Sequence, residues 1–165
     1  IIETQISTML RLCPQNGHEK SRLDLKHNLA RCYQQTGRLE EAARLFRLIY
    51  ARRKVLDGAT DDTIRAAHQL AASLIELGRY DQVKSLVPPL LRHHDGRRFR
   101  LAYATALYRS AGASRAEVLE AVAILEEQVG TLRRVLGPSH PDTLTVLGEL
   151  DRVRMTLEDY RKFKS

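Results

Sequence analysis

Apolar residues recur every three to four positions along most of this chain, and this spacing predicts amphipathic α-helices. A first stripe over residues 2–13 ends at the sequence Pro-Gln-Asn-Gly of 14–17, which stops helices. The next stripes predict one helix over about 18–36 and another over about 39–56. The short link between them contains Gly37, so the pattern predicts an antiparallel helical hairpin.

The pattern also repeats. Segment 133–143 has a degenerate copy at 53–63, 80 residues earlier, and the match continues in register through Leu70 and Leu150, Leu77 and Leu157, and Tyr80 and Tyr160. A helical hairpin cannot bury its apolar face alone and must stack on neighbours. We therefore predict a single helical-repeat domain over residues 1–165, with the end of a preceding unit, three units and an incomplete fourth at 1–17, 18–60, 61–96, 97–139 and 140–165.

Two features interrupt the regular pattern in the middle of the chain. The pair Pro88-Pro89 falls inside a predicted helix, and since proline lacks the backbone donor, we expect a kink or an early end there. Ser114 is followed by Glu117 at the spacing of a capping box. The helix after it has an apolar stripe from Val118 to Val135, passes through Gly130, and is a candidate for the longest in the chain.

The last unit has its own irregularities. Asp142 is the predicted N-cap of a helix with Leu144 on its apolar face. Asp151 and Arg154 stand at positions that are normally buried, and their spacing of three residues allows an ion pair. Glu158 occupies the place of a turn glycine, so we expect a turn there and only the beginning of a second helix after it.

Several residues carry a resemblance to a known family. Ala30 is followed at offsets of 3, 7, 12 and 16 by Tyr33, Gly37, Ala42 and Phe46, which resembles the tetratricopeptide repeat. Asn28-Leu29-Ala30 and the stretch Leu136-Gly137-Pro138-Ser139-His140-Pro141-Asp142-Thr143 resemble its kinesin light chain-like variety. The resemblance implies an all-α, right-handed superhelical solenoid of stacked antiparallel helix hairpins, used as a protein-binding scaffold.

Composition narrows the possible partners. The net charge of +7 comes from 27 basic and 20 acidic residues, which indicates either an acidic partner or charges on solvated helix faces. No apolar run is long enough to span a membrane, and no signal peptide begins the chain, which starts without Met and looks like a piece of a longer protein. Cys13 and Cys32 form no Cys-x-x-Cys motif and have no pair of histidines near them in the sequence. We therefore expect both cysteines to be buried as small apolar residues, without a disulfide, in a reducing compartment such as the cytoplasm.

The sequence offers no motif for catalysis, a cofactor or a metal. It has no phosphate loop, no Gly-x-Ser-x-Gly and no His-Glu-x-x-His. Adjacent helical side chains point about 100° apart, so we interpret His93-His94 as a partly exposed helix end. The family resemblance implies that His140 orders the loop between two units. We therefore expect a protein that is not an enzyme.

A binding surface is predicted where the first helices of successive units line the concave side of the solenoid. The resemblance implies that Asn28 faces this groove and hydrogen-bonds extended peptides; Gln69, Tyr103 and Glu149 hold the matching positions. Arginines nearby would make the groove electropositive. The predicted peptide-binding set is Asn28, Arg31, Arg65, Gln69, Arg100, Tyr103, Glu149 and Arg152.

Three functional hypotheses follow. The first is a non-catalytic interaction module whose groove binds an acidic peptide segment of a partner protein. The second is a structural subunit packed permanently in a large multiprotein assembly, which the Pro88-Pro89 break and the uncovered last helix favour. The third, RNA binding, draws on the pI of about 9.7, but aromatics are only 5% of the chain and most are assigned to the core, so few remain for base stacking.

Overall fold

A computed structural model describes residues 2–12, 19–92 and 99–162, and this part of the chain is all-α without a β-strand. Each helix coincides with a stripe of apolar residues at helical spacing, which confirms the predicted fold class. The helices are α1 (Ile2–Leu12), α2 (Glu19–Gln35), α3 (Leu39–Asp57), α4 (Asp61–Glu76), α5 (Tyr80–Leu86), α6 (Arg100–Arg109), α7 (Arg115–Val135) and α8 (Pro141–Lys162).

The chain divides into two compact units, Ile1–Gly78 and Arg79–Ser165. The finer division into repeat units stays a prediction. Cys13 and the pair His93-His94 lie outside the described residues. No helix within the described ranges is both long and apolar enough to cross a membrane.

The first unit contains α1 to α4 and is packed largely through small residues. Ala30, Ala42 and Ala66 are completely buried, which lets neighbouring helix backbones approach closely, while Phe46 and Ile49 fill the space between them. The link from α2 to α3 turns at a glycine with a φ of +76°, a conformation that other residues rarely adopt. The predicted hairpin is therefore present.

The second unit contains α5 to α8 around a core that includes Leu125, Leu150 and Val153. Helix α5 ends at Leu86, just before Pro88, as the two prolines predict. Both hydrogen bonds of the predicted capping box at Ser114 are present at the start of α7.

The loop between α7 and α8 is ordered by its own side chains. The hydroxyl of Thr143, which is fully buried, donates a hydrogen bond of 2.9 Å to the carbonyl of Gly137. The Asp142 backbone N–H donates to Nδ1 of His140 at 3.2 Å. His140 therefore contributes to the order of this loop, as the family resemblance implies.

Helix α8 departs most from prediction. It begins at Pro141, so Asp142 lies in its first turn and is not the N-cap. It continues without a turn through Glu158 to residue 162. Turns elsewhere use a glycine at positive φ, such as Gly78 at +69°, and glutamate disfavours that conformation. Helix α8 is also longer than α7, at 22 residues against 21.

Other departures concern single side chains. Arg154 pairs with Glu126 of α7 at 2.7 Å and not with Asp151, because the carboxylate of the neighbouring helix is within its reach. Val135 and Leu144 are exposed although both lie on predicted apolar stripes, since these stripes extend to helix ends where no described neighbour covers them. Cys32 is only partly buried.

Candidate binding pocket

The first unit contains a cavity of about 310 Å³ among α2, α3 and α4, which we call the α2–α4 cavity. Its lining residues are Asp24, His27, Asn28, Arg31, Arg53, Asp62, Arg65 and Gln69. Four of the eight predicted peptide-binding residues therefore come together here. Asn28 and Arg31 lie three residues apart on α2, and Arg65 and Gln69 lie four apart on α4, so each pair shares one helix face.

Arg53, on α3, is a lining residue that the sequence reasoning missed. Only 4% of it is exposed. Its guanidinium donates to Asp62 at 3.0 Å and to Asp24, so one side chain joins α3 to α4 and α2. Its Nε is buried and has no hydrogen-bond partner among the described residues.

A signal for Arg53 was present in the sequence. The residue follows Phe46 and Ile49 at helical spacing, so an arginine stands on a stripe that is otherwise apolar and buried. A buried cation requires carboxylate partners, and acidic residues lie at suitable positions on the two neighbouring helices. The matching residue of the second copy, Arg133, is exposed, which shows that the repeated segment does not have the same role in both places.

The cavity is electropositive despite its two carboxylates. Three guanidiniums and two carboxylates leave a formal charge of +1. Arg65 is held by Asp62, whereas Arg31 is exposed and forms no ion pair with any residue that the structure describes. Arg31 and the amides of Asn28 and Gln69 are therefore available to an anionic or peptide ligand.

His27 forms part of the cavity wall. Its ring meets Phe46 edge-on, with 5.4 Å between ring centroids. Burial lowers the pKa of His27, and the positive charges of Arg65, Arg53 and Arg31 lower it further against the opposing effect of Asp24. The ring is therefore neutral at neutral pH, and an anion in the cavity would favour its protonated form.

The other four predicted residues lie in the second unit, where several are already paired. Arg100 bonds Glu127 at 2.6 Å, and Arg152 bonds Glu149. Tyr103 is partly buried and packs against the core, and burial raises its pKa. These three side chains therefore form contacts within the second unit.

Glu149 is the centre of a polar cluster. The hydroxyl of Tyr108 donates to it at 2.5 Å and Arg109 donates at 3.3 Å. Burial, followed by the bond to Glu149, raises the pKa of Tyr108 to about 12, although Arg109 opposes the shift. Glu149 therefore has an internal structural role in this arrangement.

A second cavity, of about 630 Å³, lies between α2 and α3. Leu23, Leu48 and Ala51 contribute its apolar part, together with Val55, which is largely exposed. An ion pair between Glu19 and Arg52 lies at its edge.

Comparisons with known proteins agree with this architecture. The tetratricopeptide repeat family model matches residues 21–86. A crystal structure from Podosopora anserina, described as kinesin light chain nearly identical TPR-like repeats, aligns with a TM-score of 0.69 at 23% identity, covering 98% of this chain and 78% of that one. A single-substitution variant of it aligns at 0.72 and 22%, covering 98% and 77%. Among curated proteins there is no significant match.

The repeat match covers α2, α3 and α4, which are the helices that form the α2–α4 cavity. The similarity to the solved structures extends over nearly the whole chain and shows the fold. Residues 21–86 of the chain are therefore similar to tetratricopeptide repeats, and the fold of the chain is similar to that of kinesin light chain TPR-like repeats.

Proposed function

We propose that this protein is a non-catalytic interaction module that binds an acidic peptide segment of a partner protein in the α2–α4 cavity. Tetratricopeptide repeats are generally protein-interaction modules. The observation that carries the finer proposal is the meeting of Asn28, Arg31, Arg65 and Gln69, from two helices, around one cavity with a formal charge of +1.

The two exposed arginines would supply most of the affinity. A hydrogen bond between a charged donor and a carboxylate contributes about 1.5–3 kcal/mol, and arginine can make two in parallel. Arg65 must exchange Asp62 for the ligand, but this pair is exposed, so its loss costs only about 0–1 kcal/mol. The amides of Asn28 and Gln69 would bind the peptide backbone, which fixes the orientation of the segment.

The proposal is tested with a fluorescein-labelled acidic peptide and, as a control, the same peptide with Gln and Asn in place of Glu and Asp. Fluorescence anisotropy should show binding of the acidic peptide alone. The double variant Arg31→Glu/Arg65→Glu should weaken binding at least about 100-fold, since two charge-assisted contacts become repulsive. Added salt should also weaken it.

The matched control is Arg44→Glu/Arg115→Glu, which changes the net charge equally at two exposed arginines outside the cavity lining. Its affinity should remain within a few-fold of the unsubstituted protein's. Equal loss in both double variants would mean that only net charge matters, and unchanged affinity in Arg31→Glu/Arg65→Glu would exclude the cavity as the site.

A structural subunit of a large assembly is the second candidate. It is favoured by two large apolar side chains of α8, Leu144 and Met155, which are 54% and 67% exposed. Such residues are often covered in obligate assemblies. Size-exclusion chromatography and binding of an apolar dye test this candidate: a monodisperse chain that binds no dye contradicts it.

A further inference from the structure

We propose that the acidic group that the α2–α4 cavity takes is the phosphoryl group of a phosphorylated side chain. This inference rests on the proposed function, since it names the chemistry of the partner's contacting residue. The nearest alternative is a carboxylate, which has two oxygens and one negative charge. A phosphoryl group has three acceptor oxygens and a charge of about −1.5 to −2 at neutral pH.

The donors of the cavity come from three helices. Helix α2 supplies Asn28 and Arg31, α3 supplies Arg53, and α4 supplies Arg65 and Gln69. Donors spread over three helices suit a tetrahedral group with three oxygens better than a flat carboxylate, which is satisfied by one arginine with two parallel N–H groups. Guanidinium groups are also the side chains best suited to phosphate recognition.

Arg53 supplies an independent observation. Its Nε is a buried donor without a partner in the described part of the chain, although the rest of its guanidinium is bonded to Asp24 and Asp62. Because these two bonds hold the side chain, the guanidinium cannot turn to find another acceptor. The Nε atom is enclosed by protein and does not face the cavity, so the contribution of Arg53 to binding an anion there is the positive charge of its guanidinium.

The formal charge of the α2–α4 cavity distinguishes a carboxylate ligand from a phosphoryl ligand. The cavity's formal charge of +1 balances one carboxylate, whereas a dianion requires a second positive charge. His27 can supply this charge by taking up a proton. The charged groups around it are Asp24 and Arg31 on its own helix, Arg53 on α3, and Asp62 and Arg65 on α4. A bound dianion among these groups raises the pKa of His27 by more than the arginines lower it. His27 therefore takes up a proton when the phosphoryl group binds.

NMR titration of the full chain tests this proposal. The probes are N-acetyl-O-phosphoserine methylamide and N-acetylglutamate methylamide, and the signals followed are the His27 ring and the arginine Nε–H groups. The phosphoserine probe should bind saturably and at least about tenfold tighter, since it gains one or more charge-assisted contacts. Saturation should raise the pKa of His27 by a measurable amount.

Three variants sharpen the test. Arg31→Ala and Arg65→Ala should each weaken the phosphoserine probe by about tenfold, while Arg44→Ala, outside the cavity lining, should leave its affinity unchanged. His27→Gln keeps a polar side chain of similar size but cannot be protonated. Its affinity for phosphoserine should lose the part of the pH dependence that comes from His27 and keep only the part that comes from the second ionisation of the phosphate, which has a pKa of about 6.

The outcomes distinguish this inference from the proposed function. Equal or tighter binding of the glutamate probe, or no change in the pKa of His27, overturns the phosphoryl assignment but leaves acidic-peptide binding intact. If neither probe nor the acidic peptide binds, both fail. If a short oligouridylate binds in the same cavity more tightly than the phosphoserine probe, the ligand is a nucleic acid and not a phosphorylated protein.

Discussion

Arg53 links three helices of the first unit. Substitutions at Arg53 and its partners test whether its buried charge or the packing of its side chain stabilises this unit. The perturbations are Asp24→Asn/Asp62→Asn, which removes both anionic partners, and Arg53→Met, which removes the cation but keeps an unbranched apolar chain. Arg53 is 5% exposed by side chain, whereas Asp24 and Asp62 are 64% and 44% exposed. The two changes therefore have unequal consequences.

The Asn pair leaves a buried guanidinium without a counter-charge, which typically costs about 3–5 kcal/mol of unfolding free energy. Because Asn side chains still accept hydrogen bonds, we expect the lower end, about 3 kcal/mol. Arg53→Met leaves two half-exposed carboxylates that water can solvate, and it removes the unpaired Nε. The expected cost is therefore about 1 kcal/mol or less.

The assay is urea unfolding followed by amide NMR signals of α2, α3 and α4, which report on the first unit alone. The triple variant Arg53→Met/Asp24→Asn/Asp62→Asn should regain most of the stability lost in the Asn pair, since the unpaired cation is gone. If Arg53→Met costs more stability than the Asn pair, or if it does not rescue that pair in the triple variant, Arg53 stabilises the unit through packing and not through its charge.

Four further substitutions concern two glycines and the two residues of the α7 capping box. Gly37→Ala forces a residue with a Cβ into a φ of +76° and should lower the unfolding free energy by about 1–2 kcal/mol. Gly130→Ala, inside α7 with open space around it, should raise the unfolding free energy by up to about 1 kcal/mol. Thermal unfolding followed by circular dichroism distinguishes the two opposite effects. Ser114→Ala should cost about 1 kcal/mol through the lost cap, and a cost near zero in the same assay would contradict the capping box. Hydrogen bonds from Ser114 and Lys84 lower the pKa of Glu117 to about 2, so its stabilising effect is complete above about 4.5 and is lost as the pH falls towards 2. Glu117→Gln should therefore reduce the loss of stability over this acid range, which urea unfolding at several pH values measures.

Much of the fold could be predicted because local signals and tertiary structure agree. The turn at Gly37 needs a left-handed residue and has one, and Pro88 ends α5 because its missing N–H cannot continue the helix. Ser114 and Glu117 satisfy each other at the start of α7. In each case the chemistry that sets the structure lies within a few residues in sequence.

The predictions from the sequence were wrong where the structure depends on residues distant in sequence, or where a residue expected from the repeat pattern is missing. A turn was expected at Glu158 by alignment with other units, but the residue has no tendency to leave the helix, so α8 continues. Arg154 finds Glu126, which is 28 residues away in sequence. Burial at Val135 required a neighbour that the apolar pattern of α7 alone could not guarantee.

The candidate site was predictable in part. Family resemblance and helical spacing selected Asn28, Arg31, Arg65 and Gln69, and the fold of the first unit brings these four together. Arg53 was missed because charged residues were sought only on exposed faces, although its position on a buried stripe was visible. The pairing of Arg100 and Arg152 depends on Glu127 and Glu149, whose geometry only the folded second unit reveals.

The most direct test of the proposed binding site is a map of amide and side-chain NMR shifts on addition of the acidic peptide. Binding in the α2–α4 cavity should produce saturable shifts concentrated at Asn28, Arg31, Arg53, Arg65 and Gln69. Shifts concentrated instead at Arg100 and Arg152, or at Leu144 and Met155, would contradict it and place the binding surface in the second unit.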